Sequence, residues 1–249
     1  MNNPPPVDHL ATAGAEAVAR GACGAMLYDA SRVDQPGASI FDREYWRDRG
    51  CLAESAGGRG TVAFLQDDTR RWVLRHYRRG GLIARLSADG YLWLGEGRVR
   101  SFREWCLLRK LAAWRLPVPV PVAARYQRSG LTYRADLITE ELPTRLTLAQ
   151  ALQVAAIDAA RWRSIGSCIG QFHARGVQHA DLNAHNVLLG AAGAVYVLDF
   201  DRGRIRNRGG WEQGVLQRLR RSLLKVTDGL PPDRCGEQQW QWLIEGCAG

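Results

Sequence analysis

The stretch His179-Ala-Asp-Leu-Asn-Ala-His-Asn186, followed thirteen residues later by Asp199-Phe-Asp201, decides how this chain is read. Between them lie two apolar runs, Val187-Leu-Leu189 and Val195-Tyr-Val-Leu198, joined by a Gly-containing turn, which predict a short hairpin. The spacing of five places Asp181 and Asn186 on one loop, and the hairpin delivers Asp199 opposite them. Phosphoryl transfer needs a carboxylate to orient the accepting hydroxyl and take its proton, with oxygen ligands holding Mg²⁺ on the nucleotide phosphates. Asp181 suits the first role. Asn186 and Asp199 suit the second, because magnesium takes hard oxygen donors and keeps several waters. Turn carboxylates between strands are the bland alternative, and the joint match of loop, spacing and flanking strands weighs against it.

Working outward, Ala149 to Ala174 has the apolar spacing of one long helix, with Leu152, Ala155, Ala156, Trp162, Ile165, Ile169 and Phe172 on its buried face and Gly176 ending it. A basic helix is expected around Trp211 to Lys225, and another around Trp240 to Ile244. Upstream, Gly57-Gly-Arg-Gly60 leads into Thr61–Leu65 and Arg71–Tyr77, two runs joined by an Asp-Asp turn that read as a hairpin. Phe102, Trp105, Leu108, Leu111 and Ala112 predict a helix over Arg100–Trp114, which the prolines after Leu116 stop. Leu131–Leu142 reads as strand running into a connector. The expected organisation is an N-terminal arm over residues 1–40, loosely ordered with one strand near Ala25–Tyr28, then an N-terminal lobe over 41–139 and a C-terminal lobe over 140–249.

The 249 residues suffice for a sizeable core, and 46% hydrophobic with 24% charged residues excludes a disordered or fibrous chain. The formal charge of +9 points to an anionic partner, and only Lys110 and Lys225 are lysines, so any role that needs a lysine has two candidates. No window reaches 18 apolar residues, and Met-Asn-Asn-Pro-Pro-Pro at the N-terminus does not read as a secretory signal, so a cytoplasmic location is expected. Six cysteines without a C-x-x-C pair are expected to be reduced thiols. His173, His179 and His185 lack zinc-site spacing, and His179 is expected to brace the loop.

The segment His179–Asn186 resembles the catalytic loop of the protein kinase-like superfamily, and Asp199-Phe-Asp resembles its Asp-Phe-Gly metal motif. The resemblance implies an α+β, two-lobed protein kinase-like fold, with a small β-rich N-terminal lobe, a helical C-terminal lobe and the ATP site in the cleft. In that frame Gly57, Gly58, Arg59 and Gly60 would cover the phosphates. The strand Trp72-Val-Leu-Arg75 fits the frame that carries a phosphate-gripping lysine, so Arg75 is the candidate for that role and Glu104 its helix partner. Glu140 and Leu142 would offer backbone groups to adenine. An ordinary salt bridge is the alternative for Arg75 and Glu104.

An Ala-Pro-Glu segment is missing and only 48 residues follow Asp201, too few for a protein-substrate platform. Instead Arg202, Arg204, Arg206 and Arg208 alternate, so an extended segment would present all four on one face to a phosphorylated or carboxylated acceptor. Asn183 and His185 are further candidate acceptor contacts. The wording of Gly58-Arg-Gly60, Val73–Gly81, Leu116–Ala123, Tyr133–Thr139, His179–Asn186 and Leu198–Arg204 is similar to the 3-deoxy-D-manno-octulosonic acid (Kdo) kinase family. That resemblance implies ATP-dependent phosphorylation, with Mg²⁺, of the 4-hydroxyl of Kdo on a Kdo-lipid A precursor in lipopolysaccharide core assembly. It also implies a peripheral position on the cytoplasmic face of the bacterial inner membrane. Arg78, Arg79 and Arg85 with Leu82, Ile83 and Leu86, or the 202–225 segment, are expected to meet the anionic membrane surface. Another small-molecule or atypical protein kinase of the superfamily, and a non-catalytic kinase-like membrane-binding protein, are the competing readings; nucleic acid is not expected, because residues 202–208 carry no interleaved aromatics.

Overall fold

The computed structural model describes residues 14–54, 62–78 and 89–249. These residues form a mixed α/β protein with a large antiparallel sheet and six α-helices. They gather into two compact units, one within Met1–Arg115 and Pro119–Glu141, the other within Leu116–Val118 and Leu142–Gly249.

The first unit is built on an eight-stranded sheet containing β1 (Glu16–Gly21), β2 (Gly24–Asp29), β3 (Leu52–Glu54), β4 (Val62–Gln66), β5 (Arg71–His76), β6 (Tyr91–Leu92), β7 (Pro121–Ser129) and β8 (Thr132–Glu140). The strand order is β1-β2-β7-β8-β5-β4-β3, with β6 on β8. The expected β4–β5 hairpin is present, and its turn is held by Asp67, whose Oδ1 accepts from the backbone N–H groups of Thr69 and Arg70. Residues 14–40 are more ordered than the expected loose arm. Their β1–β2 hairpin joins the sheet through β7, and Met26, Ile40 and Phe41 enter a core with Trp46, Leu65, Trp72, Leu74, Val122 and Ile138.

Helix α1 (Arg43–Arg47) starts at Asp42, which accepts from Glu44 N. Helix α2 (Arg100–Ala113) buries Phe102, Trp105, Leu108, Leu111 and Ala112, the stripe its spacing predicts, together with Glu104. Each large apolar side chain in that stripe contributes about 1.5–3 kcal/mol on burial, which fixes the face from which Glu104 projects.

The second unit holds α3 (Leu148–Val154), α4 (Ala159–Ala174), α5 (Trp211–Val226), α6 (Glu237–Ala248), and two ribbons, β10 (Val187–Leu189) with β11 (Val195–Val197) and β9 (Val177–Gln178) with β12 (Arg204–Ile205). The single helix expected over Ala149–Ala174 is two. Ala155 is extended, and Asp158 caps a new helix by accepting from Arg161 N, while Thr147 and Gln150 form a capping box that opens α3. Ala155 and Ala156, expected on the buried face, are exposed in the break. Glycines let α6 lie directly on α4: a Cβ at Gly166 would stand 1.9 Å from Leu243 O, and one at Gly246 would stand 2.1 Å from Arg163 O. No described helix is long and apolar enough to cross a membrane.

Candidate active site

Two ribbons bracket the decisive stretch. Gly176 ends α4 with φ +69°, a left-handed conformation that glycine adopts without strain, and a Cβ there would meet Arg206 O at 2.2 Å. The chain then enters β9, the 179–186 loop, β10, β11, Asp199 and β12, which returns to pair with β9. Val187 pairs with Val197, so Asn186 and Leu198 meet at the ribbon end, where Leu198 N donates to Asn186 O at 2.8 Å. Asp199 follows immediately.

His179 locks this arrangement. It is 5% exposed, its Nδ1 accepts from Asp181 N at 3.1 Å, and its Nε2 therefore donates to Leu198 O at 2.8 Å. Burial holds its pKa below the ordinary histidine value, against the opposing pull of the Leu198 carbonyl and the Asp199 and Asp181 carboxylates. The ring packs edge-on against Phe200, and Phe200 stacks on Phe172 of α4. His179 is thus the brace that the sequence suggests. His173, on α4, packs against Trp211 instead.

With Phe200 turned inward, Asp199 stands exposed at φ +63°. Left-handed backbone is uncommon outside glycine, and aspartate is among the residues that tolerate it. Asn186 Nδ2 donates to Asp181 O at 3.0 Å, which leaves its Oδ1 as the atom suited to a cation. An amide oxygen and an exposed carboxylate at one ribbon end fit a hard divalent ion.

Asp181 is exposed and makes an ion pair with Arg218 of α5. The loop is also pinned by Ala184, whose N–H donates to Ser222 Oγ of α5 and whose carbonyl accepts from Ala149 N of α3. Asn183 uses both ends of its amide within the loop, donating to Asp181 O and accepting from His185 N, while the His185 side chain is exposed.

The expected arginine comb is corrected by the turn after Phe200. Gly203 N donates to Phe200 O, so Arg202 sits in a turn and only Arg204 lies in the strand. Arg206 donates to Gln178 Oε1 and Arg208 pairs with Glu212, so the four do not form one face.

In the first unit, Arg75 of β5 and Glu104 of α2 form the expected ion pair, and Tyr77 completes it. Arg75 Nη2 donates to Tyr77 Oη at 2.9 Å, and Tyr77 Oη donates to Glu104 Oε2 at 2.5 Å. Glu104 is 2% and Tyr77 5% exposed. Burial, then the Glu104 charge, pushes the Tyr77 phenol well up, so it remains a donor. Glu140 ends β8, donating from its backbone N to Val120 O and pairing through its carboxylate with Arg32; Leu142 is half-buried. Gly57, Gly58, Arg59 and Gly60 lie outside the described residues, as do Arg79, Leu82, Ile83, Arg85 and Leu86, while Arg78 is exposed.

Sequence reading missed Tyr77, Arg218 and Ser222. Strand alternation carries a signal for Tyr77, two residues from Arg75 on the same face, but nothing local points to Arg218.

The lipopolysaccharide kinase (Kdo/WaaP) family profile matches residues 43–246. The chain belongs to that family. It is 48% identical over 204 residues to a 3-deoxy-D-manno-octulosonic acid kinase of Xanthomonas axonopodis pv. citri, covering 82% of this chain and 81% of that protein. A protein of the same name from Xanthomonas campestris pv. campestris (strain B100) is 47% identical over the same shares. One from Vibrio parahaemolyticus is 41% identical over 200 residues, covering 80% of this chain and 84% of the relative. This member of the lipopolysaccharide kinase family is therefore an ATP-dependent phosphotransferase.

Proposed function

We propose that this kinase transfers the γ-phosphoryl group of ATP to the 4-hydroxyl of Kdo on a lipid A precursor, within lipopolysaccharide core assembly and on a two-lobed kinase-like fold. The observation that carries the reading is the buried His179, which ties the Asp181 backbone to Leu198, the residue before Asp199, while Asn186 binds the Asp181 carbonyl; this supports Asp181 as the base and Asn186 and Asp199 as the cation ligands. The relatives named as Kdo kinases, alike over four-fifths of the chain, supply the acceptor.

Asp181 orients the sugar hydroxyl and receives its proton as the oxygen forms a bond to the γ-phosphorus and the bond to the β-phosphate oxygen breaks, releasing ADP. A divalent ion, Mg²⁺ in this reading, would be held by Asn186 and Asp199 and would neutralise phosphate charge. Arg75 meets the nucleotide phosphates, aimed by Glu104 and Tyr77. Glu140 and Leu142 offer backbone groups to adenine, and Gly57–Gly60 cover the phosphates. Arg202, Arg204, Asn183 and His185 border the acceptor. A polyanionic lipid acceptor accounts for the excess of arginine and favours a peripheral position on the cytoplasmic face of the inner membrane, with Arg78 among the contacts.

The test is Asp181→Ala, assayed with ATP and a Kdo-bearing lipid A precursor, with the product phosphate located by NMR. Turnover is expected to fall by about 10²–10⁴-fold, with the fold intact because the side chain is exposed. Near-normal turnover, or a phosphate elsewhere than O4, overturns the reading.

A further inference from the structure

The 179–186 loop contains neither lysine nor arginine, yet its base is not left to solvent. Arg218, 37 residues further along, reaches Asp181 through its Nη1 and binds Oδ1. Helix α5 is firmly seated within the second unit, with Val215, Leu219 and Leu223 buried beneath it, and Ser222, one turn beyond Arg218, accepts from Ala184 N at 3.1 Å. Three other arginines of the 206–220 stretch have partners of their own, Arg220 with Glu237, Arg206 with Gln178 and Arg208 with Glu212.

We infer that Arg218 is a positioning residue for Asp181. This rests on Asp181 being the base. A carboxylate that accepts the acceptor's proton must keep one oxygen toward the hydroxyl, and its negative charge stands close to an anionic phosphoryl group in transfer. The guanidinium answers both needs: by binding Oδ1 it fixes the carboxylate's rotation and leaves Oδ2 for the hydroxyl, and its charge offsets the repulsion. The side chains of the pair are 49% and 56% exposed, so the interaction adds little to folding. Its effect therefore falls on turnover.

The experiment compares wild type, Arg218→Gln, Arg218→Lys, Arg218→Ala and Asp181→Ala in the full chain, with ATP and a Kdo-bearing lipid A precursor. Arg218→Gln is expected to lower kcat by about 10- to 100-fold while both KM values stay within about twofold. Melting temperature should hold within about 3 °C. Arg218→Lys, and added guanidinium with Arg218→Ala, should restore part of kcat. An inactive Asp181→Ala beside an unaffected Arg218→Gln overturns this inference alone. So does a loss carried by the acceptor KM, which would make Arg218 an acceptor-binding residue, or the absence of rescue. An active Asp181→Ala overturns the base assignment, and the inference with it.

Discussion

Removing the carboxylate of Glu104 tests whether Arg75 is held for the nucleotide or merely makes a salt bridge. Glu104 is 2% exposed and accepts from both Arg75 and Tyr77, whereas the Arg75 side chain keeps 23% exposure. Truncating one partner of a buried pair costs about 3–5 kcal/mol, because the remaining charge loses its compensation. The residual exposure of Arg75 and its contact with the Tyr77 ring at 4.6 Å move the expectation for Glu104→Ala to the lower end, about 3 kcal/mol. Tyr77→Phe leaves the ion pair but removes one donor from a buried carboxylate, at about 1–2 kcal/mol. In the double variant the hydrogen bond between phenol and carboxylate is lost once rather than twice, so the two costs should fall short of additive by about 1 kcal/mol. The assay is amide exchange of β5 and α2 in the full chain, where 3 kcal/mol corresponds to opening on the order of 100-fold more frequent. The same variant should raise the KM for ATP more than it lowers kcat. Exchange within about threefold of wild type, with an unchanged KM for ATP, would refute the reasoning.

His76 lies between two carboxylates, with Nδ1 2.7 Å from Asp136 and Nε2 3.4 Å from Asp89. The hydrogen bond to Asp136 raises its pKa above 6.5 despite opposing burial. Its contribution to stability is therefore full below 6.5 and is lost as pH rises through the raised folded-state value. Urea midpoints at about pH 6 and pH 8.5 should differ more for wild type than for His76→Gln; parallel pH profiles would refute this. Gly166→Ala places a methyl 1.9 Å from the Leu243 carbonyl, and since the obstacle is backbone, α6 must move at a cost of about 2–3 kcal/mol. A wild-type urea midpoint would show that α4 and α6 have room to separate.

Features that could be read from sequence were those whose partners are close in the chain. The 179–186 loop, its hairpin and the Asp199 turn span 23 residues from His179 to Asp201, and the pairing of Val187 with Val197 suffices to bring Asn186 beside Leu198. Helix α2 was legible for a similar reason, since Trp105, Leu108, Leu111 and Ala112 repeat within one helix. The break between α3 and α4 was not, because Ala155, Ala156, Ala159 and Ala160 are good helix formers, and the stop is made by Asp158 capping the next helix. Of the β1–β2 hairpin only the strand near Ala25–Tyr28 was legible, found as β2; the alanines and glycines of β1 carry a weak strand pattern on their own. The arginine comb failed because the inward turn of Phe200 and the hydrogen bond from Gly203 to it override the alternation that an extended run would give. Tyr77 and Arg218 belong to a third case. Each contacts a charged residue legible in its own segment, but the contact depends on where a helix packs: α2 brings Glu104 to Tyr77, and α5 brings Arg218 to Asp181. The Asp181 carboxylate is thus placed by its own loop, while the cation that pairs with it comes from a helix seated by Val215, Leu219 and Leu223, so truncating one of those three side chains to alanine should loosen the Arg218–Asp181 pair although no residue of the loop is changed.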